Sequence, residues 1–157
     1  CDFPSALCAG YLGAQALGAV AVLTMGRQGP SSPGDPSDLT ELEPLAEQGD
    51  ADAQFNLGKI YDYGQGVSEN DKTAVKWYRL AAEQGHTEAQ FNLGMMYDAG
   101  EGVEEDKFYA YVWYSLAATN GHGAISRDAL AKKMTRYQIA KAKNLAAECV
   151  RKNYKGC

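Results

Sequence analysis

Residues 53–58 of this chain read Ala-Gln-Phe-Asn-Leu-Gly, and residues 89–94 repeat the same six letters. The similarity extends outward from this motif. The block 50–85 aligns without a gap on the block 86–121, and 19 of the 36 positions are identical. A fixed period of roughly 20 to 50 residues indicates a repeat protein, in which each unit stacks on its neighbour. The repeat therefore predicts a solenoid, and it favours a binding function over a catalytic one.

Each block is predicted to form an antiparallel pair of helices. In its first half, apolar residues recur at the spacing of one helix face, at Ala53, Leu57, Ile60 and Tyr61. Gly64 suits the end of that helix, and Asn70, like Asp106 in the second block, suits the N-cap of the next. The packing stripe of this second helix comprises Ala74, Trp77, Tyr78, Ala81 and Ala82. The fold class expected is all-α, an α–α superhelix of helical hairpins.

The two tryptophans of these stripes are expected to contribute most to stability. Trp77 and Trp113 occupy equivalent positions in the two blocks. A buried aromatic side chain removes about 200 Å² from water, on the order of 5 kcal/mol before entropy losses. Replacing either tryptophan with alanine is therefore predicted to be among the most damaging single changes.

The chain divides into three regions by composition. Residues 1–25 form an apolar leader, and residues 26–36 form a linker with three Pro and three Gly. The repeat domain is 37–157: a partial repeat 37–49, full repeats 50–85 and 86–121, and a C-terminal capping hairpin 122–157. Pro44 is expected to kink the helix of the partial repeat or to lie in its first turn. In the capping hairpin, 123–134 is predicted to be a helix, and Thr135 opens the last helix with a capping box.

The apolar leader allows three interpretations. Residues 6–25 carry no charge and could be a secretory signal segment with Ala19-Val20-Ala21 as its cleavage motif. They are also long enough for a minimal membrane anchor, which would tether the protein. The third interpretation is a buried or disordered Gly/Ala-rich stretch. The expected location is periplasmic or secreted, with a membrane-anchored protein as the alternative. The incomplete first repeat and the missing initiator Met also fit a fragment of a longer array.

Composition and motifs point away from several functional classes. The net charge of −5 argues against a nucleic-acid partner, which would require a basic face. No phosphate loop, nucleophile elbow or Cys-x-x-Cys motif occurs, and the acidic segment 101–106 lacks the spacing of a calcium loop. His86 and His122 lie 36 residues apart, too far for a shared zinc ion in stacked repeats, and are interpreted as turn residues. No catalytic, cofactor or metal site is predicted.

The repeat resembles the Sel-1-like repeat family, relatives of the tetratricopeptide repeats with a longer turn that contains glycine. The resemblance covers about residues 37–157 and rests on Ala-x-x-x-Leu-Gly-x-x-Tyr-x-x-Gly-x-Gly-Val followed by Ala-x-x-Trp-Tyr-x-x-Ala-Ala-x-x-Gly. Segment 127–135 is similar to the C-terminal cap of exported bacterial members. The resemblance implies a non-catalytic scaffold or adaptor that binds a protein or peptide. A cysteine-rich branch of the family, associated with β-lactams, gives the alternative of a small hydrolase or ligand-binding protein. The full repeats here contain no Cys.

The partner-binding surface is predicted on the side of the first helix opposite its core face. In tetratricopeptide relatives this side lines the groove that holds peptides. An alternative is that Phe55 and Phe91 pack between adjacent first helices. The candidate residues are Asp52, Phe55, Lys59, Asp62, Tyr63, Glu88, Phe91, Met95 and Asp98.

The last two cysteines are candidates for a disulfide bond. Cys149 and Cys157 lie eight residues apart at the C-terminus. In an oxidising compartment they could close a disulfide loop that holds the last helix, contributing on the order of 2–3 kcal/mol. The alternative is a pair of free thiols in a reducing compartment.

Overall fold

The computed structural model describes residues 36–157, where the chain forms seven α-helices and no strands. The helices are α1 Pro36–Glu47, α2 Ala51–Tyr63, α3 Asp71–Ala82, α4 Thr87–Ala99, α5 Lys107–Ala118, α6 Ala124–Ala131 and α7 Arg136–Arg151. The apolar leader 1–25, with its three interpretations, lies outside the described residues. Helices α2 and α3, then α4 and α5, form two stacked hairpins. The prediction of an all-α solenoid is confirmed.

Side chains that cap backbone N–H groups begin these helices, at Asn70, Asp106 and Thr135 as the sequence predicts, and at Asp50 in addition. The carboxylate of Asp50 accepts from the Ala53 backbone N–H at 2.8 Å, and Asn70 accepts from that of Thr73 at 3.0 Å. Asp106 caps α5 in the same way, and Thr135 and Gln138 form the capping box at the start of α7. Each cap satisfies a donor that the first turn of a helix leaves without a backbone partner.

A close contact between a glycine and a tyrosine joins the two helices of each hairpin. A Cβ atom placed on Gly58 would lie 2.5 Å from the ring of Tyr78, and one on Gly94 would lie 2.8 Å from the ring of Tyr114. Such distances are far inside van der Waals contact, so only glycine lets the ring lie flat against the helix backbone. This packing explains why the glycine and the tyrosine occur together in both repeats.

The buried apolar side chains form a large cluster and a small one. The large cluster extends through α3, α4, α5, α6 and α7 and contains Trp113, which is 1% exposed. The small cluster lies between α1 and α2 and comprises Ala46, Ala53, Leu57 and Ile60. Trp77 is only partly buried and packs against this small cluster. The two tryptophans, equivalent in the repeat, therefore have unequal surroundings.

Helix α6 differs from its prediction, and α1 excludes one of the two alternatives expected for Pro44. Pro44 is the ninth residue of α1, so it does not lie in the first turn. Helix α6 ends at Ala131 instead of continuing to residue 134, because the N–H groups of Lys133 and Met134 bond three residues back, to Leu130 and Ala131. This tighter turn ends α6 before Thr135 begins the next helix. Helix α7 then packs mainly on α5.

A buried glutamine in each repeat shows a difference in hydrogen bonding. Gln54 donates to the Ala46 carbonyl at 2.9 Å, and its own side-chain oxygen accepts from Gln84 at 2.8 Å. In the second repeat Gln90 donates to the Ala82 carbonyl at 3.2 Å, but its oxygen has no partner among the described residues. The position equivalent to Gln84 holds Asn120, which is shorter by one methylene. The missing methylene leaves a buried acceptor unsatisfied.

Lengthening this side chain should stabilise the protein. Asn120→Gln is expected to raise the free energy of unfolding by about 1 kcal/mol, because it restores the bond seen between Gln84 and Gln54. Urea unfolding followed by circular dichroism measures the change. The reciprocal Gln84→Asn is the control and should lower stability by about 1–2 kcal/mol. No gain in the first variant would show that Gln90 has another partner.

Candidate partner-binding surface

The first-helix surface is defined here as the outward side of α2 and α4 that carries the nine predicted residues. Asp52 and Tyr63 of α2 are exposed, and Lys59 between them is half-buried. Tyr63 is 60% exposed, and Met95 of α4 is 37% exposed. Phe55 and Asp62 lie at the edge that faces α3 and are half-buried. The surface therefore has an exposed centre and an edge that contributes to packing.

Three of the predicted residues converge on His86, at the junction of the two repeats. The ring of Phe55 stacks on the imidazole with 4.4 Å between centroids. The Nε2 atom lies 3.3 Å from a carboxylate oxygen of Asp52, and Nδ1 lies 3.5 Å from one of Glu88. His86 also caps α4, since Nδ1 accepts from the Ala89 N–H at 3.2 Å. The histidine thus ties α2 of one repeat to α4 of the next.

Asp62 takes part in a second junction, between α2, α3 and α4. Its carboxylate accepts a hydrogen bond of 3.0 Å from the Tyr78 hydroxyl, which also bonds to Asn92. Burial raises the pKa of the Asp62 carboxyl above its ordinary 3.8, and the bond from Tyr78 opposes part of this rise. Burial and the Asp62 charge raise the pKa of Tyr78 well above its ordinary value. Asp62 is therefore already bonded within the fold.

The second repeat uses the equivalent residues in a similar way. Phe91 lies 5.6 Å from Tyr114 between ring centroids, and a Cβ atom placed on Gly123, just before α6, would lie 3.3 Å from the Phe91 ring. Phe91 thus packs across the next repeat junction, as Phe55 does at the first. Burial, followed by the charge of Asp98, raises the pKa of Tyr114 to about 12. Lys59 lies over the Phe55 ring, at 5.7 Å from Nζ to the centroid, whereas Met95 occupies its place in α4.

The raised pKa of Tyr114 makes stability depend on alkaline pH. Its hydroxyl titrates near pH 10 when the chain is unfolded and near 12 when it is folded. The neutral hydroxyl therefore favours the folded state fully below pH 10, and this contribution is lost as pH rises from 10 to 12. In Tyr114→Phe, the free energy of unfolding should fall less steeply over this interval than in the unaltered chain. Urea titrations at pH 8, 10 and 11.5 test this, with exposed Tyr137→Phe as the control. Equal slopes in all three proteins would contradict the expectation.

The structure thus links some of the predicted residues and leaves others exposed. Asp52, Phe55 and Glu88 meet at His86. The sequence predicted this histidine only as a turn residue. Its alignment with Asp50, the N-cap of α2, is the signal that could have identified its capping role. Its contacts with Asp52 and Phe55 join separate repeats, and the period alone did not indicate them. Whether the nine residues bind a partner stays a prediction.

Other features of the described residues bear on the remaining expectations. Cys149 and Cys157 are paired with a Cα–Cα distance of 5.7 Å, a separation that suits a disulfide. Within 36–157, no group of three potential metal ligands occurs. No helix in the same range is long and apolar enough to cross a membrane.

Comparisons with known proteins agree with this architecture. The model of the Sel1 repeat family matches residues 51–86 and 87–122. A protective antigen of uropathogenic Escherichia coli with an SLR fold superposes with a TM-score of 0.69 and 34% identity, over 74% of this chain and 26% of that one. A Sel1 repeat protein from Oxalobacter formigenes gives a TM-score of 0.56 and 38% identity, over 59% of this chain and 39% of that one.

A curated relative matches a shorter stretch. A sel1-like repeat-containing protein of Acanthamoeba polyphaga mimivirus is 43% identical over 47 residues, which is 30% of this chain and 9% of that protein. This chain therefore spans less than two fifths of each of these three proteins.

Proposed function

Because the chain is built on two Sel1 repeats, we propose that it is a non-catalytic scaffold that binds a partner polypeptide on its first-helix surface. Sel1 repeats typically mediate protein–protein interaction. The proposed site combines exposed apolar side chains, Tyr63 and Met95, with the charges of Asp52, Lys59 and Glu88. Such a mixture suits a peptide that carries both apolar and basic residues.

The observation that carries this proposal is the junction at His86. Asp52 and Phe55 of the first repeat and Glu88 of the second contact the same imidazole ring. The surface is therefore continuous across the two repeats and held in place by packed side chains. A preorganised surface loses less conformational entropy when it binds, so more of the contact energy is left for affinity.

The location of the protein forms part of the same proposal. We infer a periplasmic or secreted scaffold, with a membrane-anchored form as the alternative. The uncharged segment 6–25 and the pairing of Cys149 with Cys157 support an oxidising compartment. Fractionation of the native cells, with alkylation of free thiols under denaturing, non-reducing conditions, tests both points. Recovery in the cytoplasm with both thiols free would contradict the proposed location.

The experiment must separate binding from folding. Alanine substitution of Phe55 or Phe91 would disturb packing as well as binding, because both rings contact neighbouring repeats. The informative variant is therefore Tyr63→Ala/Met95→Ala, which removes exposed side chains only. Affinity capture from the native cell fraction identifies candidate partners, and each is then purified and titrated by calorimetry.

A true partner should bind the double variant at least tenfold more weakly than the unaltered chain. The matched control is Tyr137→Ala/Val150→Ala, which truncates an exposed aromatic and an exposed apolar side chain on α7. This control should bind normally. Equal affinity of all three proteins for every captured partner would refute the first-helix surface as the binding site.

A further inference from the structure

A cleft of about 410 Å³ lies between α3 and the segment 102–103 that precedes α5. It is separate from the first-helix surface, because its lining comes from the second helix of the first repeat. Three cationic side chains, Lys72, Lys76 and Arg79, line it together with the apolar side chains of Val75, Leu80 and Val103. The cleft therefore offers positive charge and apolar surface within the same small volume.

None of the three cations is neutralised by a carboxylate. Among the described residues, none of them forms an ion pair, although Glu83 lines the far end of the cleft. The Lys76 ammonium lies over the Trp77 ring, 5.1 Å from its centroid. Arg79 donates to the Tyr97 hydroxyl at 2.5 Å, which holds the guanidinium in place and leaves its other donors unused. Lys72, Lys76 and Arg79 form a cationic row along α3. They are three of the five Lys and Arg residues of repeats 50–85 and 86–121. Positive charge is therefore concentrated here in a chain that is acidic as a whole.

The second repeat has a different surface at the same place. The equivalents of Lys72, Lys76 and Arg79 are Phe108, Val112 and Ser115. That face of α5 is covered by α6 and α7, whereas α3 and α5 make no comparable contact. The cationic row therefore occurs on α3 alone. It lies on the face of α3 that α5 does not cover. Stacking of repeats accounts for the apolar face of α5, but it does not account for the cations of α3.

We propose that this cleft binds an extended acidic segment of a partner polypeptide, with acidic residues alternating with apolar ones. Lys72 and Lys76 are four residues apart and therefore separated by about 6 Å along the helix axis. Acidic side chains two positions apart on an extended chain are separated by about 6.6 Å and point to the same side. The two spacings match, so successive carboxylates can pair with successive cations. The intervening apolar side chains point to the opposite side of the extended chain, where Val103 forms the other wall of the cleft.

The dipole of α3 favours the same arrangement. The N-terminus of the helix lies next to Lys72, and its partial positive charge, together with the two lysines, outweighs the carboxylate of Asp71 in the first turn. Glu83, at the opposite end of the row, repels carboxylates. Successive acidic residues of the segment therefore lie over Lys72 and Lys76. This second site would give the scaffold a contact that selects acidic partners independently of the first-helix surface.

The test uses the full chain and a fluorescein-labelled acetyl peptide, Glu-Leu-Glu-Leu-Glu, with anisotropy as the readout at low ionic strength. The peptide should bind saturably, and Lys72→Glu/Lys76→Glu should weaken binding at least tenfold. The matched control, Lys132→Glu/Lys133→Glu, makes the same charge change at two exposed lysines near α6 and should bind as the unaltered chain does. Circular dichroism establishes that both variants are folded. A Gln-Leu-Gln-Leu-Gln peptide should show at least tenfold weaker binding.

Several results would overturn the proposal. These are the absence of saturable binding, an equal loss in the control variant, or retained binding of the glutamine peptide. Binding of phosphatidylglycerol vesicles without binding of the acidic peptide would assign the cleft to a lipid surface. Sedimentation of a dimer that Lys72→Glu/Lys76→Glu dissociates would assign it to a second copy of the chain. Tyr63→Ala/Met95→Ala should still bind the acidic peptide. The proposal for the cleft and the proposal for the first-helix surface can therefore fail independently.

Discussion

Replacement of Trp113 by alanine should lower the free energy of unfolding by about 3 to 5 kcal/mol. The ring is 1% exposed and lies in the large cluster shared by α3 to α7. Its removal deletes a large apolar area and leaves a cavity that the surrounding helices can fill only in part. A domain of this size is commonly stable by about 5 to 15 kcal/mol, so the variant would be near the limit of folding.

The equivalent Trp77→Ala is the matched control, because both tryptophans occupy the same place in the repeat. Trp77 is half-buried against the small cluster between α1 and α2. Its removal exposes less apolar area and leaves a space open to water, so a loss of about 1 to 2 kcal/mol is expected. Guanidinium unfolding monitored by far-ultraviolet circular dichroism measures both. Equal losses would show that sequence equivalence, and not tertiary burial, sets the contribution of each tryptophan.

Gly102→Ala should have the second-largest effect, a loss of about 2 to 4 kcal/mol. Gly102 has a φ of +66°, in the left-handed region where a Cβ atom is strained. A Cβ atom there would also lie 2.4 Å from the backbone carbonyl of Asp71, at the start of α3. Backbone atoms at a helix start cannot shift aside as the end of a flexible side chain can. The loop before α5 and the start of α3 would therefore have to separate.

The variant Gly121→Ala separates the cost of backbone strain from the cost of the contact with Asp71. Gly121 has a φ of +90°, but a Cβ atom placed on it meets no other group within 4 Å. Only the backbone strain remains, so a loss of about 1 kcal/mol is expected. Thermal and urea unfolding of both variants give the difference attributable to the contact with Asp71. If Gly121→Ala is as damaging as Gly102→Ala, backbone strain alone accounts for both effects.

The fold could be predicted because its determinants are local or repeat along the chain. Asn70, Asp106 and Thr135 cap the helices that follow them, and each cap involves residues two or three positions away. The hairpins follow from apolar residues at helical spacing, copied with a period of 36 residues. Helix α6 was predicted too long, because its early end depends on a tight turn before Thr135 that the apolar pattern does not show.

The candidate surface was less predictable, because its details depend on contacts between repeats. The helical period placed Lys59, Tyr63 and Met95 on the outward side of their helices, and they are at least partly exposed there. The same period could not show that Asp62 bonds to Tyr78 of α3, or that Phe55 stacks on His86. Those partners lie 16 and 31 residues away and are chosen by how the repeats stack.

By itself, the sequence of this protein determined an all-α solenoid, its hairpins, its caps and the outward side of its first helices. The physical reason is that helix formation and capping are decided within a few residues, and that an exact period copies them from one unit to the next. The tertiary structure alone decided which of two equivalent tryptophans is buried, which buried glutamine has a side-chain oxygen without a partner among the described residues, and where α3 remains uncovered. Equivalent residues differ in these respects because each repeat has different neighbours: α1 covers one side of the array, and α7 packs on α5 at the other.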